Sequence, residues 1–395
     1  MAFDFETVVQ RRKANLKRMF TPEDIRDHGN VSFDGAEPDY ATAPVIRDAV
    51  RALADNGLYG FTLMDKAYQD AVCWWLENSR GVRIDPDWIV PTLGTIHALS
   101  SAIRLLCPRV EDALLVMPPV YNRFAQAANR LNRPTVSCPL LPGEGRYAID
   151  FDGLEAALRS ANVKLMVICN PHNPIGQIWS QEELTRVARI AVKHHVVIFS
   201  DEIFADNCYG GRRCPSFLEI PEAKDQVLIS TSLGKAFGLT GINHANLLIP
   251  SAALREAFAD RRTRDHYGSM DPLAYECVLA GYSEAGLDWV RASNQVCDQN
   301  IHLIRETFAH LMPDSRVFGG EGAYVLWIDL RPYFDSEETM LDFLYHKAYF
   351  HVDGGSAYGM PGFIRMCVAS PTWCVEKALN DLKQAWKERN NDVAD

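Results

Sequence analysis

The sequence has no C-x-x-C pair among its ten cysteines and no H-E-x-x-H. The first absence excludes the common zinc and dithiol motifs, and the second excludes the helical zinc-protease signature. Most of the cysteines, Cys169 and Cys277 among them, sit in apolar surroundings. They read as reduced, buried thiols, with neither disulfides nor a metal site expected. No apolar run is long enough to span a bilayer. The stretch Met1 to Glu6 carries acid where a secretory leader carries base and then an apolar core, so the expected location is the cytoplasm. Positive charge is in deficit: 40 Lys and Arg against 51 Asp and Glu give a formal charge of −11. That balance argues against nucleic acid or an anionic membrane as the main partner. There is no internal repeat and no low-complexity linker. The pair His194-His195 ends an amphipathic helix and reads as structural.

What is present is a chain of 395 residues, 47% hydrophobic, long enough for two or three domains with a large core. Residues 1–20 are polar and amphipathic, an arm or first helix. Helices are expected from Pro44 to Leu53 and from Met64 to Glu77, on either side of an aromatic turn, Leu58 to Thr62. From Trp88 onward, seven short apolar runs alternate with helical stretches. The runs are Trp88–Pro91, Ala113–Met117, Thr135–Cys138, Leu165–Cys169, Val196–Phe199, Val227–Ser230 and Ala245–Ile249. Strands alternating with helices predict an α/β fold, its largely parallel sheet covered on both faces. Ser180-x-x-Glu183 is a capping box opening one of these helices. After about residue 270 the texture changes. A long helix, Leu287 to His310, and a strand, Ala323 to Asp329, suggest a smaller α+β unit.

Ligands of open α/β sheets sit at the carboxyl ends of the strands, so the residues after each run carry the information. The first run is followed by Thr92-Leu93-Gly94-Thr95-Ile96, a glycine opening a helix, which is either an ordinary N-cap or an anion cradle. The second is followed by Pro118-Pro119-Val120-Tyr121, placing a ring over the same edge. Asn170-Pro171-His172-Asn173-Pro174 follows the fourth, with two prolines fixing where its amides point. Ser200-Asp201-Glu202 follows the fifth. A buried acid there is costly unless it meets a cation or donors. Lys235, in a run of small residues from Ser230 to Gly241, follows the sixth. A lysine withdrawn from water becomes a nucleophile or a base. An anion cradle, an amide, an acid and a lysine are the parts needed to hold a phosphorylated, protonated pyridine aldehyde.

The segments at 170–174 and 200–202, with Lys235 in Ser-Leu-Gly-Lys-Ala-Phe-Gly-Leu-Thr-Gly, resemble fold-type I, pyridoxal-phosphate-dependent class I/II aminotransferases. Within that group the chain is most similar to the cystathionine β-lyase branch of the MalY/PatB type. The likeness extends to Phe5–Lys17, Ala36 to Tyr40, Tyr59-Gly60-Phe61-Thr62 and Gly362 to Arg365. The resemblance implies the PLP-dependent transferase fold, with a large domain around a seven-stranded, mostly parallel sheet and a small α+β domain. Its division would be residues 1–45 as arm and part of the small domain, 46–275 as the large domain and 276–395 as the small one. It implies pyridoxal 5'-phosphate as cofactor, an amino acid as substrate and a homodimer with shared sites. Lys235 would form the Schiff base and move the Cα proton. Asp201 would pair with the pyridine nitrogen, Asn173 with the phenolic oxygen, and Tyr121 would stack on the ring. Gly94, Thr95, Ile96 and Ser232 would hold the phosphate, joined by Tyr59 from the neighbouring subunit. Arg365 would clamp the substrate carboxylate, with Asn173 beside it.

The sequence departs from the aminotransferase pattern at several points. Asn243 stands eight residues after the lysine, where many aminotransferases have an arginine, and the C–S lyase branch commonly has an uncharged residue. Phe204 replaces a tyrosine three residues after the aspartate. Leu93 and Gly234 replace the branch's proline and serine, and Asp34 to Glu37 alters its N-terminal motif. The expected activity is β-elimination from cystathionine or a related S-substituted cysteine, giving thiol, pyruvate and ammonia. Transamination and a non-catalytic regulatory binding role on the same scaffold are the alternatives.

Overall fold

A computed structural model describes residues 3–11, 21–160, 162–265 and 268–392. Most of the arm read over residues 1–20 lies outside them, and its described part, 3–11, contains no helix. All seven apolar runs form strands of one sheet: β1 (Ile89–Thr92), β2 (Ala113–Val116), β3 (Thr135–Ser137), β4 (Val163–Cys169), β5 (Val197–Asp201), β6 (Val227–Thr231) and β7 (Ala245–Leu248). Their spatial order is β1-β7-β6-β5-β4-β2-β3. Every pairing is parallel except those of β7, which runs antiparallel to both β1 and β6. The central strands are buried at every position but Lys164, which is why they read as apolar runs without alternation.

Helices fill the crossovers. The helix opened by Gly94 is Thr95–Leu106, and Gln181–Lys193 starts on the expected reciprocal cap between Ser180 and Glu183. The helix after β2 is short, Arg123–Arg130, because Tyr121 and Asn122 belong to the turn leaving that strand. Four further strands, β8 (Arg316–Gly319), β9 (Val325–Asp329), β10 (Asp353–Gly354) and β11 (Phe363–Cys367), form an antiparallel sheet in the order β8-β9-β11-β10. The long helix before it, Glu284–Leu311, packs on the C-terminal helix Thr372–Asp392. The segment after residue 30 joins this part of the chain: Val31 pairs with Phe350, and the Cys367 amide donates to the Phe33 carbonyl. Residues 34–37 are thereby carried to the edge where the large sheet ends. Among the described residues no helix is long and apolar enough to cross a membrane.

Candidate active site

The carboxyl ends of β1, β2, β4, β5 and β6 open into one cavity of about 680 Å³. Because these strands run in the same direction, the short segments after them converge there although they are scattered through the sequence. Nine of the ten expected site residues line it: Gly94, Thr95, Ile96, Tyr121, Asn173, Asp201, Ser232, Lys235 and Arg365. The tenth, Tyr59, lies away from it on an exposed loop, with Leu58, Phe61 and Leu63 also exposed.

Lys235 is half-buried and opens onto the cavity. Its Nζ donates to the Ala36 carbonyl at 2.8 Å and lies 5.4 Å from the centre of the Phe204 ring. Burial, helped by the charge of Arg365, lowers its pKa to about 8, so a neutral amine is accessible near neutrality. Asp201 ends β5 and is buried. Its carboxylate accepts one backbone bond, from Ile203 N at 3.2 Å, and burial raises its pKa to about 7. Such a group is stabilised by a cationic partner in the cavity. Its neighbour Glu202 already has partners: it accepts from Ser200, Ser216 and the Phe217 amide and lies 3.8 Å from the buried Arg80 guanidinium. Of the two adjacent acids, only Asp201 is left to the cavity.

The loop after β4 divides its labour similarly. Asn170 is spent on fastening the loop, donating to the Pro215 carbonyl and accepting from Trp179 N. His172 is buried against the Pro119 carbonyl at 2.9 Å, and burial lowers its pKa to about 4. Asn173 alone of the three lines the cavity. Its Oδ1 accepts from Arg365 Nη1 at 3.2 Å. Arg365 stands on β11, directly across from Asp353 on β10, whose Oδ2 accepts from Nε at 3.1 Å. Asp353 thus fixes the guanidinium plane, and the guanidinium carbon lies 4.9 Å from the centre of the Tyr358 ring. Neither Asp353 nor Tyr358 is among the residues expected from the sequence, since their approach depends on a pairing between distant segments.

At the other end of the cavity, Gly94 precedes the Thr95–Leu106 helix with φ +130°, and a Cβ built there would meet nothing within 4 Å. The backbone is therefore open in front of a helix N-terminus, where an anion is favoured. Thr95 Oγ1 bonds Ser230 Oγ at 2.8 Å, and Ser232 donates to the His244 carbonyl while capping the short turn that carries Lys235. Asn243 and Phe204 also line the cavity. A carboxylate short of a cation, an enclosed amine and an open anion cradle fit a flat, phosphorylated, protonated heterocycle with an aldehyde.

Comparison with known proteins agrees with this geometry. The profile of the family described as aminotransferase class I and II matches residues 29–381. Cystathionine beta-lyase PatB of Bacillus subtilis is 28% identical over 353 residues, covering 89% of this chain and 91% of PatB. Protein MalY of Escherichia coli is 25% identical over 388 residues, 97% and 98% of the two chains. The crystal structure of cystalysin from Treponema denticola, which contains a pyridoxal 5'-phosphate cofactor, superposes with a TM-score of 0.91 at 28% identity, covering 98% of this chain and all of that one. The chain belongs to the aminotransferase class I and II family and has the fold of its pyridoxal-phosphate-dependent members.

Proposed function

We propose that this enzyme uses pyridoxal 5'-phosphate to cleave the Cβ–S bond of S-substituted cysteines. The observation that carries the reading is the placement of Lys235, Asp201 and Arg365 around one cavity, with an open helix N-terminus at its end. When bound, the cofactor supplies an aldehyde that links to amines and a protonated ring that draws electrons from Cα. Gly94, Thr95, Ile96 and Ser232 would hold its phosphate, Tyr121 would stack on its ring, and Asn173 would meet its phenolic oxygen. Asp201 would keep the ring nitrogen protonated; in the chain alone its carboxylate accepts from the Ile203 amide and feels the charge of Lys235. Arg365, oriented by Asp353, clamps the substrate carboxylate through a planar pair of donors. Lys235, with its lowered pKa, removes the Cα proton as general base. The electron pair left at Cα forms a double bond to Cβ as the C–S bond breaks, and the sulfur leaves as a thiol carrying a proton. Addition of one water then releases pyruvate and ammonia.

Support for elimination over transamination comes from Asn243, an uncharged residue in the cavity wall where many aminotransferases place arginine. The name of cystathionine beta-lyase PatB, 28% identical to this chain, points the same way. Tyr59, exposed in the single chain, is proposed to complete the phosphate site of a second subunit in a homodimer. The test is incubation of the holoenzyme with cystathionine or another cysteine thioether. Thiol and pyruvate released without a keto-acid acceptor support the lyase. Product that requires the acceptor supports the aminotransferase instead.

A further inference from the structure

Arg123, Gln126 and Arg130 of the Arg123–Arg130 helix line the active cavity, and the mechanism above uses none of them. Their spacing, i, i+3 and i+7, sets them along one stripe of the helix, while Phe124, Ala127 and Ala128 are buried. At 1.5 Å per residue the two arginine Cα atoms stand about 10 Å apart along the wall. Arg123 lies beside the Tyr121 hydroxyl. Other charges in the cavity have partners. Arg365 is paired with Asp353, Glu37 is held by Arg11 at 2.6 Å, and Lys235 is within electrostatic reach of Asp201. Neither Arg123 nor Arg130 makes an ion pair among the described residues. Both arginines are exposed, so with Gln126 they form a basic rim where the cavity meets solvent, in a chain of charge −11.

We propose that Arg123 is a specificity-determining residue that binds a carboxylate or sulfonate at the far end of the substrate's side chain, and that Arg130, two turns along, extends the basic wall. The inference rests on the amino-acid substrate proposed above and deepens it: favoured substrates are cysteine thioethers whose leaving thiol is anionic. A guanidinium suits such a group because its planar fork matches two oxygens.

The test uses ligands without sulfur, so that no thiol elimination competes, and affinity is read from the first rapid absorbance change, before any amino transfer to the cofactor. Binding of L-2-aminoadipate and of its side-chain amide to the holoenzyme is titrated through the absorbance of the bound cofactor. The acid is expected to bind roughly tenfold or more tightly than the amide, the scale of one charge-assisted bond. R123Q is expected to bring that ratio near one, and R123K to keep part of it. Equal affinities in the unmodified enzyme, or a preference that survives in R123Q, would overturn the proposal. So would R123Q and R130Q losing the preference equally, with salt abolishing what remains, since that marks a general field without recognition at Arg123. If no cysteine thioether is cleaved in the thiol assay but the acid preference is lost in R123Q, the lyase reading fails while the role of Arg123 stands.

Discussion

The folded, cofactor-free chain holds Asp201 and Lys235 at protonation equilibria that the unfolded chain does not share, and their effects on stability have opposite signs. Burial raises Asp201 to about 7 from its ordinary 3.8. Between those values the folded chain keeps a proton that the unfolded chain has released. The stability linked to it is complete below about pH 4 and is lost as pH rises to about 7. Lys235 is lowered from 10.5 to about 8 by burial and by Arg365. Over that window the unfolded chain holds the extra proton, so stability recovers as pH rises. The melting temperature of apo D201N, followed against pH, is expected to lose much of the decline between about pH 4 and 7 seen in the unmodified apoprotein; matching profiles would contradict the burial of this carboxylate. In the holoenzyme D201N is expected to lower kcat by about two to three orders of magnitude, as for loss of a preorganised electrostatic partner. At this scale the sequence was informative about residues adjoining the apolar runs. It was silent about Asp353 and Tyr358, which reach Arg365 through pairing and packing between separate segments. Residue types alone did not separate Asn173 from Asn170 and His172, or Asp201 from Glu202; the family resemblance did, and in the structure bonds to Pro215, Pro119, Ser216 and Arg80 make that division.

Elements were more legible than contacts. The seven strands lie where the apolar runs predicted them, since strands covered on both faces are mostly apolar along their length, Lys164 and the edge strand Thr135–Ser137 being departures. The cap at Ser180 is equally local: its hydroxyl accepts from Glu183 N, and the Glu183 carboxylate from Ser180 N at 2.7 Å. S180A is expected to cost about 1 kcal/mol of stability, with kcat/KM intact, because the cap lies outside the cavity. Denaturant unfolding with a steady-state assay checks both parts; a large loss of activity at unchanged stability would contradict this assignment. The ends of elements were less legible. Tyr121 and Asn122 carry helix-compatible sequence but belong to a turn, leaving Tyr121 in the cavity wall rather than on a helix face. The antiparallel run of β7 was not foreseen, because apolar composition carries no strand direction.

For the whole molecule, the cavity is assembled from both ends of the chain: Ala36 and Asp353 face residues of the large sheet. We propose the division at about residues 45 and 275 as the boundary between a small unit containing both termini and a large cofactor-binding unit. The exposed loop with Tyr59 leads to a test of shared sites. In a dimer where each Tyr59 serves the other subunit, a K235A chain and a Y59A chain together form one intact site. Mixing and refolding two individually impaired variants is expected to restore about a quarter of the unmodified activity, from random pairing of a twofold dimer. No recovery, with dimers present by sedimentation, would contradict a shared site.

Covalent capture at Lys235 bears most directly on the chemistry. The holoenzyme is reduced with borohydride, digested and analysed by mass spectrometry. The peptide containing Lys235 is expected to carry the reduced cofactor, and K235A is expected to carry none. A cofactor adduct on a different lysine, or a fully active K235A enzyme, would contradict the assignment of this amine.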